Sequence, residues 1–317
     1  MNHAIFGENI QGASHIRSGT PCQDSCKIVS LDDGTIILAV ADGHGSKTCP
    51  YSDTGSSIAV DVFCDILQKL YEGYAENPDQ LPSYLNREGD LKVAMAIDTE
   101  WKGRVVERHI SEQREIEKQE NGEDNLAEVY KQYGSTLLGL MITKDYVFGF
   151  QLGDGDICYV NENELQLVIE PEKILGVETH SLSREKSWEK AITAVRWINI
   201  GDNLPALFTL SSDGYANSYK SEEEFHNTIK DYLETLKTYG VNAVKKSLPG
   251  WLSETSEMGC GDDITMVIAY FTEDAIPEDD VSEESASEDD VPEDDVPADE
   301  APTQGEESEV ISDERAE

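Results

Sequence analysis

Three short apolar runs stand out along the chain, at residues 36–41, 207–210 and 264–270. Continuous apolar runs of this length are typical of strands that are covered on both faces. Each run adjoins an acidic residue: Asp42 follows the first, Asp213 follows the second after two serines, and Asp262 lies just before the third. Three carboxylates at strand ends, far apart in sequence, indicate one shared site.

The remaining pattern predicts an α+β domain in which the strands form largely antiparallel sheets. Apolar residues spaced three or four apart predict helices over 56–74, over 91–120 and, as a pair, over 221–255. Further strands are predicted at 28–31, 35–38, 135–142, 146–152, 157–160 and 194–198. The first two flank an Asp-Asp-Gly turn and predict a hairpin. Residues 171–190 are polar and are interpreted as an insertion over the surface.

Acidic residues are concentrated at the end of the chain, although they are frequent throughout. The 317 residues carry a net charge of −41, of which residues 272–317, with 21 acidic residues and one basic residue, contribute −20. We predict a folded domain over 1–271 and a disordered acidic tail over 272–317, because the tail is too polar to offset its ordering entropy. A solubilising tail is the default interpretation, and a specific interaction tail is the alternative. The overall charge disfavours nucleic acid and anionic membranes as partners.

The cysteines and the N-terminal residues indicate the cellular compartment in which the protein is expected. None of the six cysteines has the spacing of a zinc knuckle, and the chain is long enough to fold without disulfides. We expect reduced thiols. The N-terminus has neither a basic nor an apolar segment, and no run approaches the length of a membrane span. The expectation from the sequence is a soluble, cytoplasmic protein.

The acidic turns offer oxygen ligands of the kind that Mg2+ and Mn2+ prefer. Asp24 and Asp154 add to the three carboxylates at the strand ends. A single Asp-Gly pair is more often an ordinary turn, so it is the number of these aspartates that indicates a metal site. His44 is interpreted as a proton donor, with a structural role as the alternative. Lys47 follows a glycine-rich turn, but no glycine directly precedes it, so a P-loop is rejected.

Taken in order, these motifs resemble those of the metal-dependent serine/threonine phosphatases of type 2C, and of a mainly bacterial branch. The matching segments are 14–17, 21–24, 41–45 (Ala-Asp-Gly-His-Gly), 134–136 (Gly-Ser-Thr), 153–156 (Gly-Asp-Gly-Asp), 211–214 (Ser-Ser-Asp-Gly) and 262–265 (Asp-Asp-Ile-Thr). The resemblance covers about residues 8–271. It implies a β-sandwich of two antiparallel sheets with helices packed outside, and two Mn2+ or Mg2+ ions at one end of it.

The resemblance also implies a role for each matching residue. The implied metal ligands are Asp24, Asp42, the carbonyl of Gly43, Asp154, Asp213 and Asp262. Asp42 is expected to bridge two ions, Asp24 to act through the water shell of one of them, and Asp154 to bind a third, weaker ion. His44 is expected to protonate the leaving oxygen. A water shared by two cations loses its proton easily, so no covalent enzyme intermediate is needed.

Two positions depart from the family pattern. Many members have glutamate where this chain has Gln23, and many have a phosphate-binding arginine where this chain has Gly19. Arg17 is the nearest substitute, and an ordinary surface arginine is the alternative interpretation. The leading hypothesis is therefore a phosphatase that acts on phosphoserine and phosphothreonine in proteins and opposes a serine/threonine kinase. The alternative is a weak or inactive phosphatase-like module that binds phosphoproteins.

Overall fold

The computed structural model of the protein describes residues 2–161, 164–170 and 179–276. The strands are β1 (Asn2–Ile10), β2 (Ser25–Ser30), β3 (Ile36–Ala41), β4 (Leu137–Ile142), β5 (Tyr146–Leu152), β6 (Asp156–Asn161), β7 (Glu164–Leu167), β8 (Ile192–Trp197), β9 (Ala206–Ser211) and β10 (Ile264–Thr272). The α-helices are α1 (Ala13–Ser18), α2 (Ser52–Gly73), α3 (Leu81–Glu88), α4 (Ala94–Ser111), α5 (Leu126–Lys131), α6 (Asp213–Ala216), α7 (Glu222–Tyr239) and α8 (Val241–Met258).

The strands form two five-stranded sheets in which every neighbouring pair is antiparallel. One sheet has the order β1-β10-β9-β6-β7 and the other has the order β2-β3-β4-β5-β8. The hairpin predicted from the Asp-Asp-Gly turn is β2-β3, with Ile28 opposite Leu38. The predicted class, an α+β sandwich of antiparallel sheets flanked by helices, is confirmed.

Three apolar layers explain why β3 is apolar at every position. Leu38 and Val40 point between the sheets, where they join side chains of the other sheet such as Phe208. Ile37 and Ala39 point the opposite way, into the layer beneath α2 and α4. A third layer packs α7 and α8 on the outer face of the first sheet. The order of layers is therefore helix, sheet, sheet, helix.

Two details of the predicted pattern were wrong. The helix expected over 91–120 ends at Ser111, and a π-helical turn precedes it at Gly89–Val93. The polar residues after Ser111 offer no apolar stripe to bury, and Gln113 has a positive φ of 57°. Within the predicted surface insertion over 171–190, the described residues 179–190 are partly buried, because Leu182 and Ser187 are almost inaccessible. Residues 171–178 lie outside the described part of the chain.

The N-terminal strand was not predicted from the sequence. All nine residues of β1 pair with β10, from Asn2 opposite Thr272 to Ile10 opposite Ile264. This mixed polar and apolar edge strand has no clear periodicity of its own, so its position depends on a partner at the far end of the domain. Of the tail predicted over 272–317, residues 272–276 are described, and Thr272 is the last residue of β10. The prediction of disorder from residue 277 onward lies outside the described residues.

Two general features complete the architecture. All six cysteines are described residues, and none of them forms a disulfide. Within residues 2–161, 164–170 and 179–276, no helix is both long and apolar enough to cross a membrane.

Candidate active site

A cleft of about 440 Å3 opens at one end of the sandwich. Four of the predicted carboxylates line it, together with His44. Asp42 follows β3, Asp154 lies between β5 and β6, Asp213 follows β9, and Asp262 precedes β10. The antiparallel topology places these strand ends at the same edge of the two sheets, so residues far apart in sequence meet in one cleft.

The backbone around Asp42 is fixed by hydrogen bonds from both sides. The Asp42 N–H donates to Thr136 Oγ1 (2.9 Å), and the Thr136 N–H donates to the Asp42 carbonyl (2.8 Å). The His44 N–H donates to the Gly134 carbonyl (3.0 Å), which completes an isolated antiparallel bridge. The bonds of this bridge involve residues on either side of Gly43, so the Gly43 carbonyl takes no part in it.

Gly43 lies where a side chain has no room. A Cβ atom at this position would stand 2.5 Å from the Gln23 carbonyl oxygen and 2.6 Å from that of Ser52. The Gly43 N–H donates to the same Gln23 carbonyl (3.1 Å). The glycine therefore allows the segment that carries Asp24 to pack directly against the segment that carries Asp42.

Asp213 is positioned at the start of the short helix α6. Asn217, one turn later, donates from Nδ2 to Asp213 Oδ2 (2.9 Å). Among the described residues, the other oxygen, Oδ1, is buried and has no hydrogen-bond partner. The same holds for Oδ2 of Asp24, which directly precedes β2. Buried carboxylate oxygens without a donor are costly, and a bound cation is one way to compensate for them.

The carboxylates raise one another's pKa. Burial raises the pKa of Asp24 to about 7, and the nearby negative charge of Asp263 adds to this effect. Burial also raises the pKa of Asp42 well above its ordinary value, with further contributions from the charges of Asp24 and Asp213. The pKa of Asp213 is raised too, mainly by burial. Such a cluster retains protons unless positive charge is supplied, which is a property of many functional sites.

Asp262 and Asp263 have different environments although they are neighbours. The Asp262 side chain is about half exposed, and its Oδ1 accepts the Asp263 N–H (2.9 Å). Asp263 is buried and accepts the N–H groups of Gly12 and Gln23 (each 2.7 Å). It also contacts Nδ1 of His15 at 2.8 Å. Asp263, which directly precedes β10, therefore holds both α1 and the segment before β2 in place.

The roles of Asp263 and His15 were not predicted from the sequence. Each was visible only as part of a motif: Asp263 as the second residue of an acidic pair, and His15 within the segment 14–17. His15 lines the cleft beside Asp262. Their relationship depends on contacts between the two ends of the domain, which local patterns do not report.

Asp154 lies in a tight loop at the side of the cleft. Gly153 has a φ of +126°, which favours glycine, and a Cβ on Gly155 would lie 2.5 Å from the Ser211 carbonyl oxygen. The Thr179 hydroxyl donates to Asp154 Oδ2 (2.9 Å). Asp154 is therefore held within the same cleft as Asp42, but from a different loop.

Arg17 and Gly19 both lie at the end of α1. Gly19 ends α1 with a left-handed backbone (φ +72°), a conformation suited to glycine. Arg17 is exposed on α1, and its Nη2 lies 3.6 Å from where a Cβ on Gly261 would be. It is not among the residues that line the cleft. Its role in phosphate binding stays a prediction.

Comparison with known protein families identifies the family of this chain. The protein phosphatase 2C family matches residues 11–253. This chain belongs to the protein phosphatase 2C family. The suspected resemblance is thus confirmed, and serine/threonine phosphatases are the enzymes of this family. The sequence match ends before Asp262, so the placement of that residue depends on the structure. A search of curated proteins finds no significant match.

Solved structures of this family share the fold at low sequence identity. The S. agalactiae serine/threonine phosphatase is 14% identical, with a TM-score of 0.53, and the match covers 85% of this chain and 99% of that one. The Mycobacterium tuberculosis serine/threonine phosphatase PstP/Ppp is 14% identical, with a TM-score of 0.52, and the match covers 86% of this chain and 100% of that one. The catalytic domain of PstP in complex with two manganese ions is 16% identical, with a TM-score of 0.50, and the match covers 86% of this chain and 99% of that one.

The cleft has the donor chemistry of a site for hard cations. It is lined by carboxylates and by Gly43, and two buried carboxylate oxygens at or near it have no hydrogen-bond partner among the described residues. Within the described residues, no three His, Cys, Asp or Glu side chains form a compact group that could hold an ion unaided. Mg2+ keeps several of its waters and needs only one or two carboxylates, so a more open set of donors is compatible with it.

Proposed function

We propose that this protein is a metal-dependent protein phosphatase that hydrolyses phosphoserine and phosphothreonine. The observation that carries the proposal is that carboxylates from four separate segments of the chain meet in one cleft with His44. The elevated pKa values of Asp24, Asp42 and Asp213 support it, because cations would relieve the same electrostatic repulsion.

The ions in this proposal are Mn2+ or Mg2+, two in the main site and a third at Asp154. Asp42 and the Gly43 carbonyl would hold one ion, with Asp24 supporting it through water, and Asp42, Asp213 and Asp262 would hold the other. Bound there, the ions would lower the pKa of water and offset the charge of the phosphoryl oxygens. The PstP catalytic domain, which shares the fold, was solved with two manganese ions.

The chain's own residues have complementary tasks. His44 lies in the cleft and is the proposed donor of a proton to the departing serine or threonine oxygen, a task suited to imidazole near neutral pH. Thr136 fixes the backbone of Asp42, and Asn217 orients Asp213. Arg17 is proposed to contact the substrate phosphate at the edge of the cleft.

The proposed cellular role is to reverse phosphorylation by a serine/threonine kinase, and thus to act in signalling on phosphoprotein substrates. None of the six cysteines, all of which are described residues, forms a disulfide, which suits a reducing compartment and supports a cytoplasmic location. The acidic surface disfavours nucleic acid as a partner.

A phosphopeptide assay tests the function directly. The purified protein should release phosphate from a phosphothreonine peptide when Mn2+ is present, and EDTA should stop the reaction. Asp42→Asn and Asp213→Asn should each abolish the release. Asp231→Asn, on the exposed face of α7, is the matched control and should keep full activity. Undiminished activity in both cleft variants would contradict the assignment.

Two observations favour a second candidate, a phosphatase-like module without turnover. Gln23 supplies no charge where many members have glutamate, and Arg17 lies outside the cleft lining. Such a module would bind the phosphopeptide but release no metal-dependent phosphate. Measuring peptide binding alongside phosphate release separates the two functions.

A further inference from the structure

His15 lies in the cleft with its tautomer defined by a buried partner. Its side chain is 16% exposed, and Nδ1 lies 2.8 Å from Oδ1 of Asp263, whose side chain is 3% exposed. The same Asp263 oxygen accepts the Gly12 N–H. Because both oxygens of Asp263 accept backbone N–H groups, we assign the proton of this contact to Nδ1, which donates it. In the neutral imidazole, Nε2 then presents a lone pair.

That lone pair lies beside a second acceptor. Nε2 of His15 is 3.8 Å from Oδ1 of Asp262, and both residues line the cleft. This separation is too long for a hydrogen bond. Two atoms with lone pairs at this spacing can both bind one cation at the usual metal–ligand distances of about 2.0–2.2 Å. An imidazole whose other nitrogen donates to a carboxylate is the common arrangement of metal-binding histidines.

A third acceptor faces the same space. The Gln23 amide donates from Nε2 to Ser52 Oγ (2.6 Å), which directs its Oε1 the other way. Oε1 is buried and has no hydrogen-bond partner among the described residues, and Gln23 as a whole is only 7% exposed. A Cβ on Gly45 would lie 3.1 Å from this oxygen and 3.6 Å from His15 Nε2. The glycine therefore leaves open a space that both atoms border.

We propose that His15 Nε2 is a ligand of the cation that Asp262 holds, with Gln23 Oε1 binding the same ion or one of its waters. The inference rests on the proposed function in one respect, that Asp262 binds a cation. A nitrogen ligand makes the site selective, because imidazole suits Zn2+ well and Mn2+ accepts it beside its oxygen ligands, whereas Mg2+ binds almost only oxygen. Gln23 lacks the charge of the glutamate that many members have at this position, but its Oε1 is then one of three atoms that can bind the ion.

Electron paramagnetic resonance of the Mn2+-loaded protein tests this ligand without reference to activity. Pulsed measurements should detect coupling of the Mn2+ spin to a nitrogen-14 nucleus, and His15→Gln should remove that coupling. Calorimetric titration should show Mn2+ and Zn2+ binding weakened by about 10–100-fold in His15→Gln, with Mg2+ binding little changed. His226→Gln, on α7 outside the cleft, is the control and should bind all three ions like the parent protein.

Gly45→Ala supplies a second variant that leaves the imidazole in place. Its methyl group would occupy the space between Gln23 and His15, and it should weaken Mn2+ binding while the thermal unfolding curve stays near that of the parent. Absence of nitrogen coupling in the parent protein, or equal Mn2+ and Zn2+ affinities in parent and His15→Gln, would overturn the inference. A protein that lacks phosphatase activity but shows the coupling would refute the proposed function and leave the ligand assignment intact.

Discussion

Asp42 and Thr136 are joined by two reciprocal hydrogen bonds, one to a side chain and one between backbones. Thr136 is 5% exposed, so water cannot replace its hydroxyl. Thr136→Val removes the acceptor and leaves the Asp42 N–H unsatisfied. We expect the free energy of unfolding to fall by about 1–3 kcal/mol, measured by urea titration.

The same change should weaken Mn2+ binding, because the backbone that aims Asp42 is loosened. Thr136→Ser retains the acceptor and is the control: it should keep metal affinity near that of the parent. If Thr136→Val bound Mn2+ as tightly as Thr136→Ser, the hydroxyl would have no part in positioning Asp42.

A pair of glycine substitutions separates the active site from the rest of the fold. Gly43→Ala places a methyl group 2.5 Å from the Gln23 carbonyl oxygen, so the two segments must move apart. We expect a loss of at least tenfold in phosphatase activity together with a lower melting temperature. Gly103 is exposed within α4 with nothing near its Cβ position, and Gly103→Ala should stabilise the protein by about 0.5–1 kcal/mol with unchanged activity.

The buried charge of Asp24 predicts how the metal-free protein responds to pH. Its pKa is about 7 in the folded protein and close to 3.8 in the unfolded chain, chiefly because of burial. The folded state therefore binds this proton more tightly. The resulting stability is fully present below pH about 4 and is lost as the pH rises through about 7.

Asp24→Asn should remove this pH dependence. In EDTA at pH 8 the variant should be more stable than the parent by up to about 4 kcal/mol, since a tenfold change in proton affinity is about 1.4 kcal/mol. At pH 4 the two proteins should differ little. Urea titrations at both pH values check the difference, and Asp231→Asn should follow the parent at each. An Asp24→Asn protein that is less stable at pH 8 would contradict the proposed electrostatic cost.

The sequence predicts those parts of this protein that depend on local chemistry. The continuous apolar run of β3 predicts a strand buried on both faces, and Asp42 at its end is found in the cleft. The edge strand β1 was missed because it is defined by its pairing with β10. The contact between His15 and Asp263 joins residues 248 positions apart, and no spacing rule reports it. Both features depend on pairing between residues that are distant in sequence, which local periodicity does not predict.

The end of β10 determines how the acidic tail can be removed. Thr272 is 4% exposed and pairs with Asn2, whose Nδ2 donates to the carbonyl of Asp274 (2.8 Å). Ile276 packs against the apolar layer beneath α7 and α8. A truncation that begins at residue 272 would remove these contacts, whereas one that begins at residue 277 would keep them.

We therefore expect the protein truncated after Ile276 to keep the melting temperature and the Mn2+-dependent phosphatase activity of the full chain. The protein truncated after Phe271 should melt at a lower temperature, because the end of β1 loses its partner and an apolar contact is exposed. Thermal unfolding and phosphopeptide hydrolysis of the two truncated proteins, measured side by side, check both outcomes. Loss of activity in the longer protein would assign the acidic tail a direct role in catalysis and would contradict a site built only from the cleft residues.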